Sequence, residues 1–249
     1  MFPQENISPE VEEHGAFAGC FILNGDRLNQ FRLYGKEKDE EGTGVSVTLN
    51  EHFFSKEILA PVQMRLDEGK KKEDLPNLLP LFRCIYIDPE TNKVVSLGQK
   101  EEYVFCRENE GKNDKDKKKV YRKYKNKINA TMGEVSKKLD NLKKYIKREK
   151  LNYDVVREFL RYLRYLVKHV AFKEEQECRI IRVEKLCDKK NVKSDEDNRL
   201  YVEYSVLNKW NISKICFGPK AKGINKFKQH LVRNGYDEVK CGKSKAPLS

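Results

Sequence analysis

A short segment in the second half of the chain carries two carboxylates and a guanidinium at alternating positions. Glu175, Glu177 and Arg179 are two residues apart from one another, so on a β-strand all three side chains leave from the same face. Carboxylates at such positions can act as general bases in proton transfer. The row is either a functional site or a row of solvent-exposed charges. The second alternative is common, because most charged side chains are exposed to solvent.

The elements around this row are predicted from its hydrophobic pattern. Residues 176–183 alternate, with Cys178, Ile180 and Val183 spaced as the buried side of a half-buried strand. Residues 45–49 alternate strictly, so that Ser46 and Thr48 share one face of a second predicted strand. The sequence thus predicts one strand with acidic side chains and another with hydroxyl groups.

The positive charge of the protein is concentrated in one segment. The 249 residues have a formal net charge of +12, and residues 107–150 contribute +10 of it, with 17 Lys and Arg against 7 Asp and Glu. Residues 108–129 are of low complexity, and such dense blocks of charge are typical of a solvated loop or a partly disordered arm. A dedicated nucleic-acid-binding arm is the alternative.

Two helices are predicted after this loop. Residues 131–134 have the Thr-x-x-Glu form of a capping box, and apolar residues follow it at helical spacing. A second helix is predicted with Asn152 or Asp154 as its cap, and its apolar stripe runs from Val156 to Val170. We expect an antiparallel helical hairpin. The fold prediction is α+β: one domain over residues 1–249 with a central mixed or antiparallel sheet of short strands, and with residues 107–170 inserted as a basic loop plus the basic hairpin.

Other classes of protein are disfavoured by composition. The seven cysteines form no CxxC pair and the four histidines are scattered, so we expect no metal site and no disulfide framework. No apolar run reaches the length of a membrane span. We therefore expect no membrane anchoring, reduced thiols and a cytoplasmic location.

Several motifs together resemble the bacterial domain family catalogued as DUF2971. They are Gly-Cys-Phe at residues 19–21, the Asp-to-Gly run at 26–35, Gly-Val-Ser-Val at 44–47, Phe-Lys followed by Glu-x-Glu-x-Arg at 172–179, Gly-Pro-Lys at 218–220 and Ser-Lys-x-Pro at 244–247. Their order and spacing are similar to the family pattern over nearly the whole chain.

The set also resembles that of the mono-ADP-ribosyltransferases, which use an arginine, a Ser/Thr strand and a Glu-x-Glu strand in this chain order. The resemblance implies NAD as a substrate. In that family the arginine binds a phosphate of NAD, and the essential glutamate stabilises the transition state as nicotinamide leaves. The catalytic residues implied are Glu177 and Glu175, and the NAD-binding residues implied are Arg32, Tyr34, Ser46, Thr48 and Arg179. The protein would then be an effector, toxin or phage-defence enzyme acting on a macromolecule, delivered into a host cytosol if it is an effector.

Two other interpretations are left open. Arg32, Glu177 and Arg179 can form a buried ion network without any catalysis. The basic hairpin can instead make the protein a non-enzymatic module that binds nucleic acid or an acidic protein, with a steep dependence on salt. A metal-dependent nuclease is disfavoured, because Glu175 and Glu177 are the only close acidic pair on a predicted strand.

Overall fold

A computed structural model describes residues 14–55, 79–109, 111, 113–152, 156–157, 160–204, 207 and 209–244. Its α-helices are α1 Leu28–Leu33, α2 Glu102–Glu108, α3 Asp114–Glu149, α4 Arg161–Arg164 and α5 Ile224–Arg233. Short 3-10 helices cover Glu51–Phe53, Val170–Glu175 and Lys209–Asn211.

The strands are short. They are β1 His14–Ile22, β2 Lys36–Glu37, β3 Glu40–Glu41, β4 Val45–Leu49, β5 Phe82–Arg83, β6 Ile85–Asp88, β7 Lys93–Leu97, β8 Val167–His169, β9 Glu177–Lys185, β10 Val192–Ser194, β11 Leu200–Val202, β12 Ile212–Phe217 and β13 Lys240–Lys243. They form sheets of two or three strands. The predicted α+β class is confirmed, with several small sheets in the place of one central sheet.

The chain divides into two compact units. The first takes its described residues from 14–23 and 81–203, and the second from 24–55, 79–80 and 204–244. The prediction of one domain with an insertion at 107–170 stays a prediction.

The first unit contains the strand that carries the acidic row. Strand β9 lies between β1 and β5, antiparallel to both. In the β1–β9 register, Cys20 is opposite Arg179 and Ile22 is opposite Glu177. Strand β9 is therefore central in its sheet, and its Ile180 side chain is buried.

A second sheet of the first unit supports α3. Strand β6 pairs antiparallel with β7 and parallel with β8. Ile85 and Leu97 of this sheet form a core cluster with Ile128 of α3, and Tyr124 and Met132 of α3 pack against the same cluster. Because these helix positions recur at intervals of four, one stripe of α3 is fixed against the sheet and the rest faces outward.

The second unit contains the hydroxyl-bearing strand. Strand β12 lies between β13, to which it is parallel, and β4, to which it is antiparallel. Its Ile215 and Phe217 form a core cluster with Ala221, against which Ile224 and Leu231 of α5 pack. The predicted strand at residues 45–49 is confirmed as β4.

The predicted loop at residues 108–129 is wrong from Asp114 onward, where α3 begins. Lysine and arginine are good helix formers, and Tyr124 and Ile128 supply the buried stripe. The Asn113 side chain caps the helix by accepting a hydrogen bond from Asp116 N. The predicted capping box is also wrong: Thr131 lies inside α3 and its hydroxyl donates to Lys127 O at 3.0 Å.

The predicted second helix ends earlier than expected. Helical backbone bonds join Val156 N to Asn152 O, Leu160 N to Val156 O and Arg164 N to Leu160 O. The chain then enters β8, where Val167 pairs with Ile85 of β6. The predicted extension to Val170 is therefore wrong, because β-branched residues there join a sheet. Residues 153–155 and 158–159 of this prediction lie outside the described residues.

Candidate functional site

The main chain of Glu177 is fixed by contacts on both sides. Glu177 N donates a hydrogen bond to the buried Tyr86 hydroxyl at 2.9 Å. Glu177 O accepts from Cys84 N at 3.0 Å. A Cβ atom at Gly98 would lie 2.3 Å from Glu177 O, so only glycine fits there. The preceding residue, Gln176, has a φ of 49° and turns the chain from the 3-10 helix into β9.

The carboxylate of Glu177 lies in a network of four charged side chains. Arg179 donates to Glu177 Oε1 at 2.7 Å and to Oε2 at 3.2 Å. Lys168 Nζ lies 2.5 Å from Glu177 Oε2 and 2.5 Å from Glu175 Oε2. Arg179 also donates to Tyr165 O. The Glu177 side chain is only 4% exposed, and the other three are between 15% and 19% exposed. We call these four residues the ion network.

The electrostatics of the ion network keep its charges in place. Burial raises the pKa of Glu177, but hydrogen bonds from Arg179, Cys20 and Lys168 outweigh it and lower the pKa from 4.5 to about 2. Burial alone would lower the pKa of Lys168. Its hydrogen bonds to the two carboxylates have the larger effect, so the pKa is raised overall. Burial and the neighbouring Glu177 raise the pKa of the Cys20 thiol to about 11. Glu177 is therefore a carboxylate and Cys20 a neutral thiol at neutral pH.

This arrangement limits the chemistry that Glu177 can perform. A carboxyl group with a pKa of about 2 holds no proton at neutral pH, and it is a weak base. Both of its oxygens already accept hydrogen bonds from cations. Two carboxylates are balanced by two cations, and removal of one partner from such a buried set is strongly destabilising. The ion network thus ties β8 and the 3-10 helix that follows it to β9.

The remaining predicted site residues lie in the second unit. Arg32 of α1 donates to Glu41 Oε2 at 2.8 Å, and its side chain is 53% exposed. This places Arg32 in a surface ion pair within its own unit. Tyr34 is exposed. The structure brings Glu175, Glu177 and Arg179 together in the first unit. Arg32 and Tyr34 belong to the second unit.

Ser46 and Thr48 lie on the same face of β4, as predicted. A Cβ atom at Gly25 would lie 3.3 Å from Ser46 Oγ and 3.7 Å from Thr48 Oγ1, so both hydroxyls face the chain at Gly25. The valines of the other face, Val45 and Val47, are exposed.

Three residues of the ion-network region were not predicted. Lys168 lies within the predicted second helix. In the structure it is in β8, and the parallel pairing of β8 with β6 brings it to the carboxylates of Glu175 and Glu177. Nothing in the sequence around Tyr86 indicates its hydrogen bond with Glu177 N. Cys20 could have been found from the strand register, because β1 pairs with β9.

The solvent face of α3 is a second candidate site. The helix holds 14 Lys and Arg against 5 Asp and Glu, and only its buried stripe contacts the core. Some of the cations are neutralised: Lys117 pairs with Asp114 and Arg148 with Glu149. Eleven exposed cations of α3 form no ion pair within the described part of the chain, namely Lys115, Lys118, Lys119, Arg122, Lys123, Lys127, Lys137, Lys138, Lys143, Lys144 and Lys147.

The described ranges contain no group of three His, Cys, Asp or Glu side chains able to hold a metal ion. None of the helices in the described part is long and apolar enough to cross a membrane.

Comparison with known proteins gives one match. A family model described as "Protein of unknown function (DUF2971)" matches residues 30–180. This range contains α3 and the ion network, together with Arg32, Ser46 and Thr48. No curated protein and no solved structure matches the chain significantly.

Proposed function

The chain belongs to the DUF2971 family of proteins of unknown function, so its activity has to be inferred from its own residues, and we propose that it binds nucleic acid through the solvent face of α3. The observation that carries the proposal is the set of eleven exposed cations on one helix that form no ion pair within the described residues. Unpaired cations on a solvent face attract phosphate groups, and binding releases the counterions of the nucleic acid.

The way α3 is held supports this role. Its buried stripe is fixed through Ile128, Tyr124 and Met132 to the β6–β7 sheet. The Lys125 side chain is held by Gln99 Oε1 at 2.7 Å. A helix fixed along one side presents its other side without having to fold on binding, which lowers the cost of ordering. The expected affinity is that of non-specific binding, with a Kd of roughly 10⁻⁴ to 10⁻⁶ M at physiological salt.

We expect the affinity to fall steeply with salt. If about six of the eleven cations contact phosphates, the slope of log K against log salt is about −5, which is about a thousandfold loss between 50 and 200 mM. Fluorescence anisotropy with a labelled DNA duplex of mixed sequence measures the slope. Glutamine at all eleven positions is expected to remove most of it.

A matched control removes charge elsewhere. Lys226, Lys228 and Arg233 are exposed cations of α5, and glutamine at these three positions should leave the slope unchanged. Equal binding by the wild-type protein and the eleven-site variant would contradict the proposal, as would an equal loss in the α5 control. Circular dichroism of each variant shows that the fold is kept.

The NAD-transferase hypothesis stays a prediction, and the ionised state of Glu177 supports it. It requires NAD to bind, and a ligand at a hundred times its Kd stabilises a protein by about 2.7 kcal/mol, or several degrees in Tm. A thermal-shift measurement with millimolar NAD is expected to show such a rise in the wild-type protein and not in Arg32→Gln. Arg32 is exposed, so this variant should keep its fold. No rise in the wild-type protein would end the hypothesis.

The thiols favour a reducing compartment as the place of action. Cys84 and Cys178 are buried thiols that form no disulfide, and burial raises the pKa of Cys84 to about 12 and that of Cys178 to about 11. Such thiols are typical of cytoplasmic proteins, and the cytoplasm also contains the proposed ligand.

A further inference from the structure

The three aromatic residues of α3 have different surroundings. Tyr121 and Tyr124 pack against Phe105 of α2, and Tyr124 also packs against the core cluster of the β6–β7 sheet. Tyr145 makes no ring contact with another aromatic side chain within the described part of the chain, and it is 49% exposed. The first two tyrosines therefore help to fix the helix, whereas Tyr145 presents its ring to solvent.

Tyr145 lies among the cations of α3. The Cζ atom of Arg148, one turn later, lies 5.4 Å from the centre of the Tyr145 ring, within the range of a cation–π interaction. Lys138 precedes Tyr145 by seven residues, which make about two turns, so it lies on the same side of the helix. Lys144 is the adjacent residue. The exposed ring is thus flanked by positive charge in both directions along the helix.

A shallow depression adjoins the ring. It has a volume of about 540 Å³ and is lined by Asn141, Leu142, Lys144, Tyr145 and Arg148. This volume is within the range of small-ligand sites, about 300–1,000 Å³. The depression combines an apolar wall from Leu142, an amide group from Asn141 that can donate and accept hydrogen bonds, and two cations. Its chemistry suits a flat aromatic group joined to an anion, as a nucleobase is joined to its phosphate.

Resting on the proposed function, we infer that the nucleic acid bound by α3 is single-stranded and that one of its unpaired bases stacks on the Tyr145 ring. Proteins that bind single strands combine cations along the backbone with aromatic side chains on which bases stack. Lys144 and Arg148 contact the phosphates beside that base, and Asn141 bonds to its edge. A base within a duplex is enclosed in the stack and is not available to a side chain on the protein surface.

A strand without bases separates stacking from charge. A labelled single strand of DNA of about 16 nucleotides is compared, by fluorescence anisotropy, with an abasic strand of the same length that keeps every phosphate. We expect the wild-type protein to bind the base-bearing strand about fivefold more tightly or better, since stacking on one aromatic side chain gives at least about that factor. Tyr145→Ala should bind the two strands equally, and it should bind the mixed-sequence duplex as the wild-type protein does.

Two further variants show whether the ring of Tyr145 is responsible. Tyr145→Phe keeps the ring and should keep the preference for the base-bearing strand. Tyr103 of α2 is the matched control, because it is 48% exposed but follows Glu101 and Glu102 in the sequence. Tyr103→Ala should bind both strands as the wild-type protein does. The salt slope should be the same in all three variants, because none of them removes a charge.

The outcomes distinguish this inference from the proposed function. Equal binding of the base-bearing and abasic strands by the wild-type protein, or an unchanged preference for bases in Tyr145→Ala, overturns the inference and leaves the proposed function intact. Binding of the duplex alone overturns it as well. A loss in Tyr145→Ala with a single strand of DNA, of RNA or of both supports the inference, and the strand with the larger loss identifies the source of the ligand. Absence of binding to every probe, the duplex included, overturns the proposed function itself.

Discussion

Replacing Glu177 by glutamine is expected to lower the free energy of unfolding by about 3 kcal/mol, because it leaves Lys168 and Arg179 half-buried with one anion fewer between them. The amide keeps the shape of the side chain, so the loss reports on charge. Urea unfolding, followed by circular dichroism, measures it. Glu196→Gln is the matched control at an exposed position, and it should change the free energy by less than about 0.5 kcal/mol.

The pH dependence of this difference identifies its cause. The pKa of Glu177 is about 2 in the folded protein and 4.5 ordinarily. A lowered pKa contributes stability that is present above the ordinary value and is lost as the pH falls toward the folded value. The difference between the wild-type protein and Glu177→Gln should therefore be constant above about pH 5 and shrink between about pH 4.5 and pH 2.

Full stability of Glu177→Gln would contradict the structural role of the ion network. If that variant also lost a thermal response to NAD, Glu177 would be a binding residue. A large loss of stability, together with no NAD response in the wild-type protein, would leave Glu177 with a structural role only.

The alternating pattern of the sequence predicts strand β9 and its charged side chains, but it does not predict the Lys168 side chain that pairs with them. The alternation of residues 176–183 locates the strand, and Glu177 and Arg179 interact as their shared face requires. Lys168 reaches Glu177 only because β8 pairs with β6. That pairing joins segments about 80 residues apart, and no spacing within either segment encodes it. The carboxylates were therefore predictable, whereas the cation that joins them was not.

The prediction of a loop in the basic segment is wrong for a different physical reason. The charge density of residues 114–129 is typical of a loop, although lysine favours helices almost as much as leucine does. The decisive signal was the sparse stripe of Tyr124, Ile128 and Met132, which is enough to fix a helix to a sheet. Segments of this kind are better judged by their few apolar positions than by their many charged ones.

A second large effect is expected at Gly98, where Gly98→Ala should lower the free energy of unfolding by about 3 kcal/mol. The added Cβ would lie 2.3 Å from Glu177 O, and backbone cannot yield as a flexible side chain does. Either the Gly98 N to Cys84 O bond of 2.9 Å or the Cys84 N to Glu177 O bond of 3.0 Å has to lengthen. Overpacking of this kind costs about 1–3 kcal/mol or more.

Gly133→Ala provides the control with the opposite sign. Gly133 lies inside α3 and has nothing within 4 Å of an added Cβ, so alanine should stabilise the helix by about 1 kcal/mol. Glycine-to-alanine substitution is therefore expected to lower stability at Gly98, through a steric clash, and to raise it at Gly133, through backbone entropy. Urea unfolding of the two variants measures both effects. Equal stability of Gly98→Ala and the wild-type protein would mean that β9 does not approach Gly98 this closely, and the anchoring of Glu177 described above would then be wrong.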